Sequence, residues 1–420
     1  MESNERSRDR RRFLRKLAAT SILGGFAGML HQPSVSGAAD AGIATGIYDV
    51  KAYGAVGDGV ADDASGIQHA IQSASSSGGG LVWIPPGVYR LGSNGLRIPR
   101  QVIVAGTGWW DNGSWFYVDR ESVSVVVVDP SARGSVIRDV AVKYDQPDHT
   151  STGPWNPRDY VPAFDIQADD VYIHNVLLYN PTRGIYIHNE RGSVGRVILD
   201  RIWGQPLLEG IAIDNALDAI KVNNVHFWPF WNNKTPVRDF VADNAEAVKS
   251  FRNDNPHFSN IFAFGYKFGF HFGMSRGDPT NHGITSKFRI ANADLDFCRV
   301  GLQVDGPNTT GQVVNFTAQG DGTLSSPAGL RVEASGVRIQ GSNLRVTDFA
   351  GNGIRAEGKG SVVFLENVWV ETWNKSGRGF PGVEAFRGAR IYLGRSRWFE
   401  NGSGGSNTGA NEGGMIILDK

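Results

Sequence analysis

The sequence predicts an all-β fold: a single-stranded right-handed parallel β-helix with a capping helix at its N-terminal end. Three observations carry this reading. A hexapeptide recurs at a near-constant period, and a second strand-like segment ending at Asn recurs with it. In addition, 54 glycines in 420 residues supply turns without any collagen-like period.

The hexapeptide has the form Gly-apolar-x-apolar-polar-x. It reads GIYIHN at 184–189, GIAIDN at 210–215, GLQVDG at 301–306, GLRVEA at 329–334 and GIRAEG at 353–358, with looser copies at 269–274 and 382–387. Spacings of 26 residues (184 to 210), 28 (301 to 329), 24 (329 to 353) and 29 (353 to 382) are those of a stacked repeat. Within each copy the apolar residues alternate, as they do in a strand. The second segment reads VYIHNV, IKVNNV, HFSNI, FRIANA and VVFLENV. Its Asn175, Asn224, Asn260, Asn292 and Asn367 are expected to stack as a buried ladder, each amide bonding the next coil. The gap from 210 to 269 holds two coils and an insertion at about 230–255, in which Pro236 opens a short helix capped by Thr235.

Residues 1–39 read as an export signal and stand outside the fold. A basic stretch, RSRDRRRFLRK, precedes an apolar run from Leu17 to Leu30 and a small-residue cleavage zone around Ala38–Ala39. That run is too short to span a hydrocarbon core of about 30 Å. Arg10-Arg11-Arg12-Phe13-Leu14 resembles a twin-arginine signal, so export to the periplasm or beyond is expected, with no membrane contact once the signal is removed. Residues 40–47 read as a linker, 48–400 as the solenoid and 401–420 as a Gly/Ser-rich tail.

Basic and acidic residues balance at 42 each, so no long-range field favours nucleic acid or an anionic membrane. The single cysteine, Cys298, excludes an intrachain disulfide and any Cys-based metal site, and it reads as a small buried apolar residue.

The start of the solenoid is the most specific segment. Tyr53-Gly54-Ala55, Gly57-Asp58-Gly59, Asp62-Asp63, Ile67-Gln68, Gly78-Gly79-Gly80 and Ile84-Pro85-Pro86-Gly87-x-Tyr89 follow one another within residues 48–90. This segment resembles the entry of the pectate-lyase-like superfamily, which includes proteins related to glycoside hydrolase families 28 and 55. The resemblance implies a β-helix closed by a helix over about 63–75, with Asp62 as its N-cap and Gly57-Asp58-Gly59 as a tight turn. It further implies a polysaccharide substrate, and it makes a homotrimer conceivable for an architecture shared with phage tailspikes. The catalytic signatures of its best-known members do not appear: Gln167-Ala168-Asp169-Asp170 and Asn281-His282-Gly283 only brush those of family 28, and the Asp-Pro-His motif of alginate epimerases is missing.

Site candidates therefore come from register. Outward positions beside the Asn ladder bring together Leu177/Tyr179, His226/Trp228, Phe262/Phe264, Asp294/Asp296 and Trp369/Glu371, with Arg345 between the last two. Aromatic faces stack on sugars and carboxylates move protons, so this stripe is the expected substrate groove. Asp294 and Asp296 are the expected acid/base pair, with Glu371 in support. His226, Trp228, Trp231, Tyr266, His271, Arg345 and Trp369 are the expected substrate contacts, and Trp373 is expected to add aromatic surface nearby. The Cα atoms of Asp294 and Asp296, two apart on one strand, are expected about 6.5–7 Å from each other. That suits the wider carboxyl separation of an inverting glycosidase.

The expected activity is therefore a glycoside hydrolase without cofactor. The alternatives are a lyase on a uronate polymer, in which calcium could take part, and a non-catalytic carbohydrate-binding protein. A lyase needs a base and a cation, for which His226, His271, Lys267, Arg252 and Arg345 are available. A second outward stripe, on the hexapeptides, contains Tyr186/His188, Ala212/Asp214, His271, Gln303/Asp305, Arg331/Glu333 and Arg355/Glu357. Its last rows read as a solvated salt-bridge ladder, and its His188–Asp214 end as a further candidate.

Overall fold

The computed structural model describes residues 46–149, 153–190, 192–275, 283–323, 326–399 and 404–418. The export-signal reading of residues 1–39 and most of the 40–47 linker lie outside them, as do Asn281, His282 and Asn401. Among the described residues every pairing between named strands is parallel, as a right-handed solenoid requires. The strands form a long sheet of 18, a second sheet of 12 and a short sheet of 4.

The 12-stranded sheet is built on the hexapeptides. Ile185, Ile211, Val248, Phe270, Leu302, Leu330 and Ile354 stack in register, each on the next, and all are buried. Each buried side chain of this size contributes roughly 1.5–3 kcal/mol of transfer free energy, so the interior row alone holds neighbouring coils together. The leading glycine has a steric cause: a Cβ on Gly184 would stand 2.3 Å from the carbonyl oxygen of Gly210 in the next coil. At Gly184 the absence of a side chain is what lets the coils approach that closely.

The long sheet is folded along its length at the asparagines. Asn224, Asn260, Asn292, Asn315, Asn343 and Asn367 all adopt left-handed backbone, with φ between 52° and 57°. Asn tolerates this conformation better than other side-chain-bearing residues. Each residue's Nδ2 donates to the Oδ1 of the previous coil's Asn, from Asn260 onto Asn224 (3.1 Å) through to Asn367 onto Asn343 (2.7 Å). The ladder is exposed where a buried one was expected, because it runs along the outer corner of the fold. It also includes Asn315 and Asn343. Asn175 stands apart from it and donates to Asp139.

A helix at Ala64–Ser76 buries Ile67, Ala70, Ile71 and Ala74 against the first strands. Asp63, where Asp62 was expected, is its capping-position residue, and neither of its oxygens bonds the helix. Asp63 instead accepts from the backbone N–H of Val56 and Gly57, while Asp62 accepts from Ala64 and Gly92. The second helix, Thr235–Asn244, carries Pro236 in its first turn, but its preceding residue is Lys234 and no side chain caps it. Strand pairing also continues past residue 400. Thr408–Asn411 pairs with Val383–Phe386, and Met415–Leu418 pairs with Arg390–Leu393. The Gly- and Ser-rich composition there supplies turns between strands, where a tail had been expected.

Candidate active site

Register on the long sheet assembles most of the expected groove. Trp203, His226, Phe262, Asp294, Thr317, Arg345, Trp369 and Arg397 occupy one outward row, each one coil from the next. Phe264, Asp296, Gln319, Thr347 and Glu371 occupy the adjacent row. Aromatic rings lead up to the carboxylates: His226 lies 5.1 Å from Trp203 and 4.6 Å from Phe262, stacked on both, and Trp228 lies 4.6 Å from Phe264. Burial holds His226 below the usual imidazole range. Burial, reinforced by the charge of Asp294, raises the Asp296 carboxyl, against the pull of Arg345.

Four expected residues do not join this groove. Tyr266 is 1% exposed, and its hydroxyl donates to the Pro206 carbonyl at 2.9 Å, so it belongs to the core. Trp231 packs against the core and on Trp155, whose ring also meets Phe240 of the Thr235–Asn244 helix. Trp373 is also buried. His271 faces outward on the other sheet. Glu371 lies on the groove but three coils from Asp296, about 14 Å away at the spacing of adjacent strands. That exceeds the reach of a hydrolytic carboxyl pair, and Glu371 instead binds Arg345 at 2.7 Å.

A denser titratable cluster lies on the hexapeptide sheet. Asp165, Tyr186, Ala212, Lys249, His271, Gln303, Arg331 and Arg355 form its central outward row. Its distal rows are the expected polar ladder, with Arg355 on Glu357 at 2.9 Å and Arg331 on Gln303 at 2.7 Å. At the other end the groups suit proton transfer. His188 Nε2 lies 2.9 Å from Asp165, and its ring stacks on Tyr186 at 4.0 Å and 11°. With Nε2 donating to the carboxylate, Nδ1 carries the basic lone pair. Burial, then the charges of Asp214 and Glu209, push the Tyr186 phenol well up, so it stays protonated.

Lys249 stands two coils from Tyr186, across the small side chain of Ala212. Its ammonium contacts Glu209 at 2.8 Å and lies over the Phe251 ring at 5.0 Å. Asp214 is held by the Ser275 hydroxyl at 2.8 Å.

Sequence reasoning had placed Tyr186, His188 and Asp214 on this face but had missed Asp165, Glu209 and Lys249. The coils of Asp165 and Lys249 break the hexapeptide pattern: FDI and EAVKSF lack the leading glycine, which is Ala247 in the latter. The residue preceding each hexapeptide glycine, where Glu209 stands, was not aligned at all. Among the described residues no group of three or more His, Cys, Asp or Glu side chains is disposed to hold a metal ion.

Comparison with known proteins agrees with the architecture. Residues 47–114 match the family described as rhamnogalacturonase A/epimerase, pectate lyase-like. Over that segment the chain is similar to that family, and its strands form a parallel β-helix.

Mannuronan C5-epimerase AlgE4 of Azotobacter vinelandii is 30% identical to the β-helix over 211 residues, which are 46% of this chain and 37% of that protein. Alginate lyase 7 of the same organism is 27% identical over 191 residues, 43% of this chain and 22% of that protein. The chain thus spans well under half the length of either relative. Among solved structures, the catalytic unit of a GH87 α-1,3-glucanase from Streptomyces thermodiastaticus superposes with a TM-score of 0.55 at 14% identity, covering 89% of this chain and 68% of that one. A tailspike of an Acinetobacter phage gives 0.54 at 10% identity, covering 89% and 63%. At such identities these two show the fold of the β-helix alone.

Proposed function

We propose that this chain is an enzyme acting on a uronate-containing polysaccharide, and that it works by removing the C5 proton of a uronosyl residue at the cluster of Tyr186, His188 and Lys249. The observation that carries the reading is the convergence on one face of a carboxylate-oriented imidazole, a protonated phenol and an ammonium group. The sequence relatives act, by their names, on mannuronan and alginate, both uronate polymers, which supports the same reading.

The chemistry assigns a role to each group. The C5–H bond is weakly acidic because it is α to the C6 carboxylate, and a cation beside that carboxylate stabilises the charge that develops. Lys249 supplies the cation. The His188 imidazole takes the proton, with Asp165 fixing its tautomer and stabilising the imidazolium. Two outcomes then balance. In elimination the C4–O4 bond breaks, a C4–C5 double bond forms, and the Tyr186 hydroxyl protonates the leaving oxygen. In epimerisation a proton from solvent is returned to the opposite face of C5, His188 gives its proton back to solvent, and the chain stays intact.

Incubation with uronate polymers in deuterated water tests this. Ultraviolet absorbance of unsaturated ends marks elimination, and deuterium at C5 without chain cleavage marks epimerisation. Neither signal on any uronate polymer rejects the proposal. Hydrolysis at the long-sheet groove is the second reading, favoured by the raised Asp296 carboxyl beside Asp294. It predicts new reducing ends without unsaturation.

A further inference from the structure

A pocket of about 300 Å3 opens where the chain leaves the long sheet for the hexapeptide sheet. Part of its lining is aromatic. Trp228, Phe264 and Phe297 follow one another with ring centroids 4.6 and 5.1 Å apart, and both Trp228 and Phe297 are 41% exposed. The Thr235–Asn244 helix contributes Arg238 and Asp239 to the same lining. Arg299 ties this helix to the solenoid: its guanidinium contacts Asp243 of the helix at 3.2 Å and also Asp321. Val237 and Val241 anchor the helix underneath. The pocket's walls are therefore held in place before any ligand arrives, which lowers the cost of binding. None of these residues belongs to the Tyr186 row.

We infer that this pocket is a second carbohydrate site, holding one pyranose residue of a polysaccharide chain against Trp228 and Phe297. Its volume is at the small end for ligand pockets, suited to about one sugar ring. Exposed aromatic faces match the apolar face of a pyranose. Arg238 and Asp239 offer donors and acceptors to ring substituents, and a purely apolar ligand would bury these charges without compensation. The site performs no chemistry, and it rests on the proposed function only in taking a polysaccharide as its ligand.

The experiment uses the full chain carrying Tyr186→Phe, so that the ligand is not consumed. A short oligouronate and a short neutral glucan are titrated separately, with calorimetry and tryptophan fluorescence as readouts. Saturable binding by either sugar is expected. Trp228→Ala should weaken it by about tenfold. Ala242→Phe, which narrows the pocket, should abolish it, with Tm unchanged in both variants. Arg238→Glu, on an exposed position, should selectively weaken the uronate and so tells whether a carboxylate or only the ring is read. Uronate binding at the Tyr186 cluster is the component that pocket substitutions leave; binding by neither sugar, or the absence of any binding component that both Trp228→Ala and Ala242→Phe remove, overturns the inference. If the unsubstituted enzyme turns over a uronan while pocket binding is absent, the pocket alone has failed. If the pocket binds but no uronan is altered, the catalytic proposal alone has failed.

Discussion

His188 and Asp165 stand one coil apart with imidazole Nε2 2.9 Å from the carboxylate, and the same imidazole lies flat against Tyr186. A residue from one coil thus orients a base on the next, and that is possible only because parallel strands stack in register. Substituting Asp165→Asn leaves the geometry while weakening the base. It should lower turnover on a uronate polymer by about 10²–10⁴, as should His188→Gln. Tm should remain within a few degrees, because both side chains lie on the outer face of the sheet and neither belongs to the hydrophobic core. Turnover near that of the unsubstituted enzyme in both variants removes the proposed site.

The long-sheet carboxylates supply the opposing test. If proton abstraction occurs on the hexapeptide sheet, Asp294→Asn and Asp296→Asn should each keep turnover within about threefold. A loss of about 10² or more in either, with reducing ends as product, would instead place hydrolysis at that pair.

His271 ought to make stability pH-dependent. Burial by itself favours the neutral ring. Asp305, at 3.0 Å, and Glu246, an ionic contact at 3.2 Å and not a hydrogen bond, outweigh it and hold the pKa at about 9. The folded value thus lies above the unfolded value of about 6.5. The stabilisation is complete below pH of about 6.5 and is lost as pH rises through about 9. Thermal unfolding across this window should show Tm falling by an amount on the order of 2 °C more in the unsubstituted protein than in His271→Gln. Parallel curves would show that the imidazolium contributes nothing.

Asn292 both donates to and accepts from its ladder neighbours, with φ of 57°. Asn292→Ala loses both bonds and places a Cβ residue in left-handed backbone, at a cost of about 1–3 kcal/mol. Asn292→Gly loses the bonds but accepts the backbone, so it should cost about half as much or less. Urea denaturation midpoints rank the two. Equal midpoints would assign the whole effect to the amide ladder.

Tyr266→Phe checks the placement of that ring in the core. Losing its bond to Pro206 should cost about 0.5–1.5 kcal/mol and leave KM for polymer unchanged.

The repeat was legible because its cause is local. In most coils a glycine precedes the inward pair of apolar residues because a Cβ there strikes the next coil, and Asn recurs where the backbone turns left-handed. These requirements act within one coil and return in every coil, so they write a period into the sequence. The row from His226 through Asp294 to Trp369 followed from the same register.

What the sequence alone left undecided was which outward residues meet. Tyr266 looked like a surface aromatic, but its hydroxyl finds a carbonyl 60 residues away in the core. His271 shares a period with Asp294, yet the turn at residues 265–267 carries His271 onto the second sheet while Asp294 stays on the long one. Lys249 and Asp165 sit in coils without the leading glycine, and only strand pairing aligns them with Tyr186. Periodicity fixes whether a side chain points in or out. The partner it meets depends on coil length and on insertions such as the Thr235–Asn244 helix, and those are settled only when successive coils stack.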